Sequence, residues 1–227
     1  MPISNEYKAP FACNQYYHIL FRSIDGIPLF KSELERRFFL EKWQRFLTML
    51  LETWAFSQLD NHVHLIVRIR DQQEIIGQLN KLSAEAKTKS MSRYLMQPIE
   101  SLLDEVSERQ VNSFMVSYAN TYNNRSERRG GVFQQPFRRS IITEESHLQQ
   151  AIIYTHANAQ KHGLVSDFKL HNHNSYRMIL DKNEEFVSAN AVLDFFEGIK
   201  QFISVHTEQV AYFYNHHWPS SKLEADS

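Results

Sequence analysis

Two histidines, His62 and His64, flank one apolar residue at the start of a run rich in β-forming residues. Successive side chains of a strand point to opposite faces, so both imidazoles share one face while Val63 and Leu65 share the other. Two neighbouring imidazoles on a sheet can bind one divalent cation. The alternative is a pair of buried histidines whose polar atoms are satisfied by hydrogen bonds within the sheet.

A second pair with the same spacing, His171 and His173, occurs in a polar stretch that also contains Asn172 and Asn174. No apolar run surrounds this pair, and the composition is typical of a loop. We therefore restrict the metal-binding hypothesis to the first pair and predict that His62 and His64 are both ligands.

The charge of the chain is unevenly distributed, although the net charge at pH 7 is only −1. Residues 181–227 contain eight acidic residues and three lysines, a balance of −5, so residues 1–180 carry +4. The positive part includes a cluster formed by Arg125, Arg128, Arg129, Arg138 and Arg139. Such a cluster can bind nucleic-acid phosphates, and the alternative is a set of solvated surface charges.

The elements that position these side chains follow from hydrophobic periodicity and from turn residues. The sequence predicts an α+β fold, a ferredoxin-like split βαβ antiparallel sheet with helices on one face and a C-terminal helical extension. Strands are predicted at residues 16–22, 54–59, 62–69 and 137–142. Helices are predicted at residues 32–52, 72–89, 108–124 and 145–162, with one or two more in 188–214. Residues 81–107 are ambiguous, except that Pro98 should interrupt any helix there.

The length of 227 residues allows one domain with an appendage, which we place at residues 1–180 and 181–227. No apolar run approaches the roughly 18 residues that cross a membrane, and residues 1–6 lack the pattern of a secretory signal. Cys13 is the only cysteine, which excludes an intrachain disulfide and a thiolate zinc site. These features predict a cytoplasmic protein without a membrane partner.

Several short segments occur together and in one order: Asn61–Leu65, Phe114–Tyr118, Gly130–Phe137, Tyr154–Val165 and Asn174–Tyr176. Through them the chain resembles the single-tyrosine HUH transposases, the insertion-sequence-200-like group, and within it the branch associated with repetitive extragenic palindromes (REP). Two departures stand out: Ala159 replaces a usual proline, and Leu59-Asp60 replace a proline often found before the histidine pair. Neither departure removes a reacting group. Residues 81–107 are also longer than the family pattern.

The resemblance implies an enzyme that cleaves and rejoins single-stranded DNA near a hairpin. In the family, a tyrosine oxygen attacks a DNA phosphate, which forms a 5′-phosphotyrosine and releases a 3′-hydroxyl. A tyrosine hydroxyl is a weak nucleophile at its ordinary pKa of about 10, so a cation on the phosphate assists the attack. The implied cation is Mg²⁺ or Mn²⁺. Because Mg²⁺ prefers oxygen ligands, a third ligand with an oxygen is expected beside His62 and His64.

The resemblance assigns the nucleophile to Tyr154 and the third metal ligand to Asn158. The two are spaced i, i+4 and therefore lie on one face of the predicted helix. Without the resemblance, they would be interpreted as a core tyrosine and a helix C-cap. Tyr118 and Tyr122, on the preceding helix, are rival nucleophiles that we interpret as packing residues. His156 should point to another face and is not expected to bind the metal.

Contacts with DNA phosphates are predicted for Lys161 and for the arginine cluster, including Arg138 and Arg139. Phe133 and Phe137 could stack on bases of a single strand, although Phe133 could equally belong to the core. The expected partner is single-stranded DNA with a hairpin (palindromic) structure, and the protein could act as a homodimer.

Two other functions stay open from the sequence. A catalytically inactive module of the same fold could bind hairpin DNA or RNA, although the presence of Tyr154, His62, His64 and Asn158 favours the enzyme. A zinc hydrolase would need a further histidine or carboxylate ligand and an open position for water, and none is evident at motif spacing. The acidity of residues 181–227 argues against DNA contact in that region.

Overall fold

A four-stranded antiparallel sheet forms the centre of the protein, in a computed structural model that describes residues 8–216. The strands lie in the order β2-β3-β1-β4, and each neighbouring pair is antiparallel. They are β1 (Tyr16–Arg22), β2 (Leu51–Gln58), β3 (His62–Ile69) and β4 (Arg138–Ile142). The helices are α1 (Glu33–Leu47), α2 (Gln72–Asn80), α3 (Lys89–Met96), α4 (Glu100–Arg125), α5 (Glu145–Lys161), α6 (Tyr176–Leu180), α7 (Ala189–Phe195) and α8 (Ile199–Asn215).

The topology is the predicted split βαβ arrangement, with β1 and β3 at the centre and β2 and β4 at the edges. One helix, α1, connects β1 to β2, and α2 to α4 lie between β3 and β4. The α+β class, the antiparallel sheet and the helical C-terminal region are confirmed.

The two faces of the sheet are covered by different helices, because alternate residues of the central strands point to opposite sides. Tyr17, Ile19 and Phe21 of β1 pack with Val63 and Leu65 of β3 in a core that also contains side chains of α1 to α4. This large aromatic core provides the scaffold that holds β1 and β3 in register.

A second core lies on the opposite face, between the sheet and α5. Ile152 and Ala157 of α5 pack in it with Ile66 of β3, and Phe202 of α8 is completely buried there. The predicted helices on one face thus correspond to α1 to α4, while the helical extension joins α5 on the other. Residues 217–227 of the predicted acidic extension lie outside the described residues. So do residues 1–7, which include the segment predicted to lack a secretory signal.

The second strand begins earlier than predicted and contains an irregularity. α1 ends at Leu47 rather than near residue 52, and β2 begins at Leu51, which pairs with Ile69 of β3. Pairing with a buried neighbour strand outweighs the helical spacing of apolar residues in this short segment. Within β2 the register shifts between Thr53 and Ala55, so that Trp54 is an extra residue in this strand.

The helices between β3 and β4 also differ from their predicted limits. α2 ends at Asn80 rather than near residue 89, and the chain is interrupted at Pro98 as predicted. α4 begins at Glu100 rather than near residue 108, because buried Leu103 and Val106 extend its apolar stripe towards the N-terminus. Among residues 8–216, no helix combines the length and the apolar character that a membrane span requires.

Candidate active site

His62 and His64 lie side by side on β3, on the face that α5 covers. Their ring centroids are 5.1 Å apart. His64 is completely buried and His62 is 5% exposed, while Val63 belongs to the core on the other face. The alternation of the strand therefore brings two imidazoles together between sheet and helix, as the spacing predicts.

The helix α5 and its C-cap residue present a matching row of Tyr154, Asn158 and His162, spaced four residues apart and so aligned along one face. The ring centroid of Tyr154 lies 6.2 Å from that of His64, and the ring of His162 lies 5.4 Å from that of His62. Asn158 is completely buried, about one helical turn from each of its neighbours in the row. His162 was not among the predicted site residues, although its spacing from Tyr154 could have indicated it.

Lys161, which was predicted to contact a DNA phosphate, donates a hydrogen bond to the hydroxyl of Tyr154. Its Nζ atom is 2.5 Å from the phenol oxygen and 4.7 Å from the centre of the ring. The seven-residue spacing places both side chains on the same side of α5, about two turns apart. A charged donor on this oxygen stabilises negative charge there, a role that the sequence analysis did not predict.

Each histidine of the pair has its Nδ1 atom engaged by a neighbouring side chain. Nδ1 of His62 lies 2.7 Å from Oδ1 of Asn61, and Nδ1 of His64 lies 2.8 Å from Nε2 of His18. His18 belongs to β1 and is 7% exposed. The sequence analysis did not single out His18, although it is a polar residue in an apolar strand next to core residue Tyr17.

The donor set suits a divalent cation that accepts both nitrogen and oxygen ligands. Because Nδ1 of both histidines is engaged, Nε2 is the atom through which each would coordinate, and Asn158 would add an amide oxygen. In residues 8–216, no group of three or more His, Cys, Asp or Glu side chains is arranged to hold a metal. Coordination by His62, His64 and Asn158 stays a prediction, and the zinc-hydrolase alternative gains no further ligand in this part of the chain.

Arg138 and Arg139 were predicted to contact DNA together, but the structure separates them. Arg138 pairs with Leu20, the residue that also pairs with His64, so it lies on the face of the histidine pair. Arg139 points to the opposite face and is 4% exposed, 3.3 Å from a carboxylate oxygen of Asp104. The prediction for Arg139 is corrected, because this guanidinium is enclosed in the first core.

The remaining arginines of the cluster lie at the C-terminal end of α4, where Arg125 is the last residue, and in the loop that follows it. Arg125 is exposed with its guanidinium 4.5 Å from the ring centre of Phe38, Arg129 is exposed, and Arg128 donates to the carbonyl of Gly131. The following loop is tied to the end of β1, where the amide of Gln134 donates to a carbonyl of that strand. This is the end of the sheet at which β3 begins.

The two aromatic residues predicted to stack on bases belong to the first core. Phe133 and Phe137 are 5% and 3% exposed, and their rings lie within 6 Å of the ring of Phe21. They are on the face of the sheet opposite the histidine pair. The prediction of base stacking is therefore corrected for both residues.

The rival nucleophiles, Tyr118 and Tyr122, lie on the opposite side of the sheet from the histidine pair. The hydroxyls of Tyr118 and Tyr122 donate to the carbonyls of Leu29 and Pro28, each at 2.8 Å. Burial raises the pKa of Tyr118 above its usual value, which makes it a poorer nucleophile at neutral pH. His156 faces away from the pair, towards α8.

A cleft of about 340 Å³ opens beside the histidine pair. It is lined by His62 and His162, by the turn before β3 and by residues that follow β1 and α5: Gly26, Pro28, Leu59, Asp60, Asn61 and Leu164. The His62 end of the candidate site is therefore its open end.

Comparison with known structures supports the same fold. A solved structure described as a REP-associated tyrosine transposase bound to a REP hairpin matches with a TM-score of 0.50 and 13% sequence identity. The match covers 80% of this chain and 88% of that one. No family model matches the chain, and no curated protein sequence matches it. At this level of identity, the similarity establishes a shared fold.

Proposed function

We propose that this protein is a metal-dependent transposase that cleaves and rejoins single-stranded DNA near a hairpin through a 5′-phosphotyrosine on Tyr154. The observation that carries the proposal is the packing of Tyr154 against His64, in a fold shared with a REP-associated tyrosine transposase. That neighbour is bound to a REP hairpin, so hairpin-forming DNA is the partner that we propose here.

The reaction exchanges one phosphoester bond for another. Oη of Tyr154 loses its proton to solvent and bonds to the phosphorus, the bond to the 3′-oxygen breaks, and this oxygen takes up a proton from solvent and leaves as a hydroxyl, so that protons balance. His62, His64 and Asn158 would hold Mg²⁺ or Mn²⁺, which when bound neutralises and orients the phosphate. Lys161 donates to Oη, which stabilises the negative charge on this oxygen when it attacks and when it leaves in the reverse step.

The DNA strand would reach the candidate site through the cleft at the His62 end, because α5 packs on the sheet face that carries the histidine pair. Arg138 lies on that face and would contact a backbone phosphate on the β4 side. Arg125, Arg128 and Arg129, at the end of the sheet where β3 begins, would contact phosphates of the hairpin. This assignment leaves sequence selection to other contacts, because phosphate contacts carry no base information.

The proposal is tested by incubation of the full chain with single-stranded hairpin DNA, with and without Mg²⁺, followed by denaturing electrophoresis. A covalent adduct is expected with Mg²⁺. Tyr154→Phe should bind the hairpin and form no adduct, because it lacks only the attacking oxygen. Tyr118→Phe is the matched control, since it removes one buried hydroxyl on the opposite face and should keep the adduct.

Mass spectrometry of the adduct peptide identifies the nucleophile directly. A DNA-linked peptide containing Tyr118 or Tyr122, with residues 151–160 unmodified, would refute the assignment of Tyr154. Hairpin binding without any adduct in Mg²⁺ or Mn²⁺ would instead indicate the inactive binding module.

A further inference from the structure

A third histidine belongs to the candidate site through its contact with His64. His18 lies on β1, next to β3 in the sheet, and its Nε2 atom is 2.8 Å from Nδ1 of His64. The two ring centroids are 5.0 Å apart. Both side chains are buried, so this hydrogen bond is shielded from water and strongly restrains the orientation of both rings.

The direction of this hydrogen bond decides whether His64 can bind a cation. In a pair of neutral imidazoles, one nitrogen must donate the hydrogen and the other must accept it. If Nδ1 of His64 donates to His18, then Nε2 of His64 carries a lone pair. If His18 donates instead, Nε2 of His64 carries the hydrogen and cannot coordinate a metal.

For His62, the chemistry of its partner fixes the direction of the hydrogen bond. Nδ1 of His62 faces Oδ1 of Asn61 at 2.7 Å, and an amide oxygen can only accept. Nδ1 of His62 therefore carries the hydrogen, and Nε2 carries the lone pair. A cation held by both histidines through the same nitrogen requires the same tautomer for His64.

We propose that His18 is a positioning residue that accepts a hydrogen bond from Nδ1 of His64 and thereby directs the lone pair of Nε2 to the cation. The inference rests on the proposed function, since the cation is the one assigned there to His62, His64 and Asn158. Outer-shell partners of this kind orient a ligating imidazole and raise its basicity. Asn61 does the same for His62.

The test measures Mn²⁺ binding to the DNA-free protein by electron paramagnetic resonance of the unbound ion. His18→Phe keeps a planar ring and loses the acceptor, so the affinity for Mn²⁺ should fall about 10- to 100-fold. His18→Gln retains a side-chain oxygen that can accept from Nδ1, and it should recover most of the lost affinity. His206→Phe, which removes a buried imidazole from α8, is the control for a general loss of stability and should bind Mn²⁺ normally.

Nitrogen-15 spectra of the histidines give the second readout. In the wild-type protein, His64 should show hydrogen on Nδ1 and none on Nε2, and His18→Phe should abolish this single-tautomer pattern. Hydrogen on Nε2 of His64, or unchanged Mn²⁺ affinity in His18→Phe, would overturn the role proposed for His18 and would leave the proposed function untouched. Absence of Mn²⁺ binding to the wild-type protein would contradict the metal in the proposed function, an outcome that is distinct from both.

Discussion

The hydroxyl of Tyr154 accepts a hydrogen bond from the ammonium group of Lys161, two turns later on the same helix. We predict that Lys161→Met lowers the rate of adduct formation by about 100-fold, because loss of one charged donor to a reacting oxygen has effects of this size. The methionine keeps the aliphatic length, so hairpin affinity should change much less. Single-turnover kinetics at saturating hairpin DNA measure the rate.

Lys161→Arg is the conservative control for this residue, because it keeps a charged donor and should retain more of the rate than methionine does. A wild-type rate in Lys161→Met, combined with weaker and less salt-dependent hairpin binding, would return Lys161 to its predicted role as a phosphate contact.

Two consecutive arginines on β4 provide a second comparison at the residue scale. Arg138 lies on the face of the histidine pair, whereas Arg139 is enclosed with Asp104 on the other face. We predict that Arg138→Gln reduces the salt dependence of hairpin binding by about one phosphate contact. Arg139→Gln should lower the free energy of unfolding by about 1–3 kcal/mol, because it leaves buried polar groups without their partner.

Urea denaturation and salt titration of hairpin binding separate the two effects. The assignment fails if Arg139→Gln is as stable as the wild type and loses the salt dependence instead. Strand alternation alone distinguishes Arg138 from Arg139 once β4 is known, and the sequence analysis did not apply it to them.

At the scale of elements, α5 has a second buried face that joins it to α8. Nδ1 of His206 lies 2.7 Å from the carbonyl of Phe202, so it donates there, and its Nε2 accepts from Nδ1 of His156 at 2.9 Å. Nε2 of His156 then accepts from the hydroxyl of Ser175 at 2.8 Å. Both imidazoles are neutral in this chain of hydrogen bonds. α8 is therefore fastened to the helix that carries the proposed nucleophile.

This chain of hydrogen bonds makes stability depend on pH. Burial lowers the pKa of His156 well below its usual value and lowers that of His206 to about 3. The unfolded chain binds protons on both residues below about pH 6.5, whereas the folded protein does not. The stabilisation is therefore present above pH 6.5 and is lost as the pH falls towards the folded values.

We predict that the free energy of unfolding is lower at pH 5 than at pH 7 by about 2 kcal/mol for each of these two histidines. Urea denaturation across this range measures the difference. His206→Gln removes one titrating group and should weaken the dependence, while His147→Gln, at an exposed position of α5, should keep it. Equal stability at pH 5 and pH 7 would contradict the neutral buried pair.

The elements themselves were predictable where local patterns are strong. β1, β3, β4 and α5 have nearly their predicted limits, because runs of β-forming residues bounded by turns and a helix end at Gly163 are local features. The start of β2 at Leu51 was not predictable, since it depends on pairing with Ile69, eighteen positions later in the chain. Helix and strand periodicity cannot distinguish such short apolar segments without the partner.

At the scale of the whole molecule, the sheet separates a scaffold side from the side that holds the candidate site. The first core holds the sheet together and encloses Arg139, Phe133 and Tyr118. The predicted nucleophile and ligands all lie on the other side, between the sheet and α5. The sequence predicted the members that share one strand or one helix. It did not predict His18, because the contact of His18 with the site depends on the register of β1 against β3.

The extra residue in β2 has a consequence for how the chain can change in length. Without Trp54, Thr53 and Ala55 would still face their present partners on β3 in a regular ladder, with the loss of the aromatic contacts of Trp54 to Tyr16 and Phe195 in the second core. Deletion of Val63 from β3 would instead make the two histidines consecutive and turn them to opposite faces. The pairing register should thus survive the deletion in the edge strand, whereas a deletion in the central strand reverses the faces of the histidine pair.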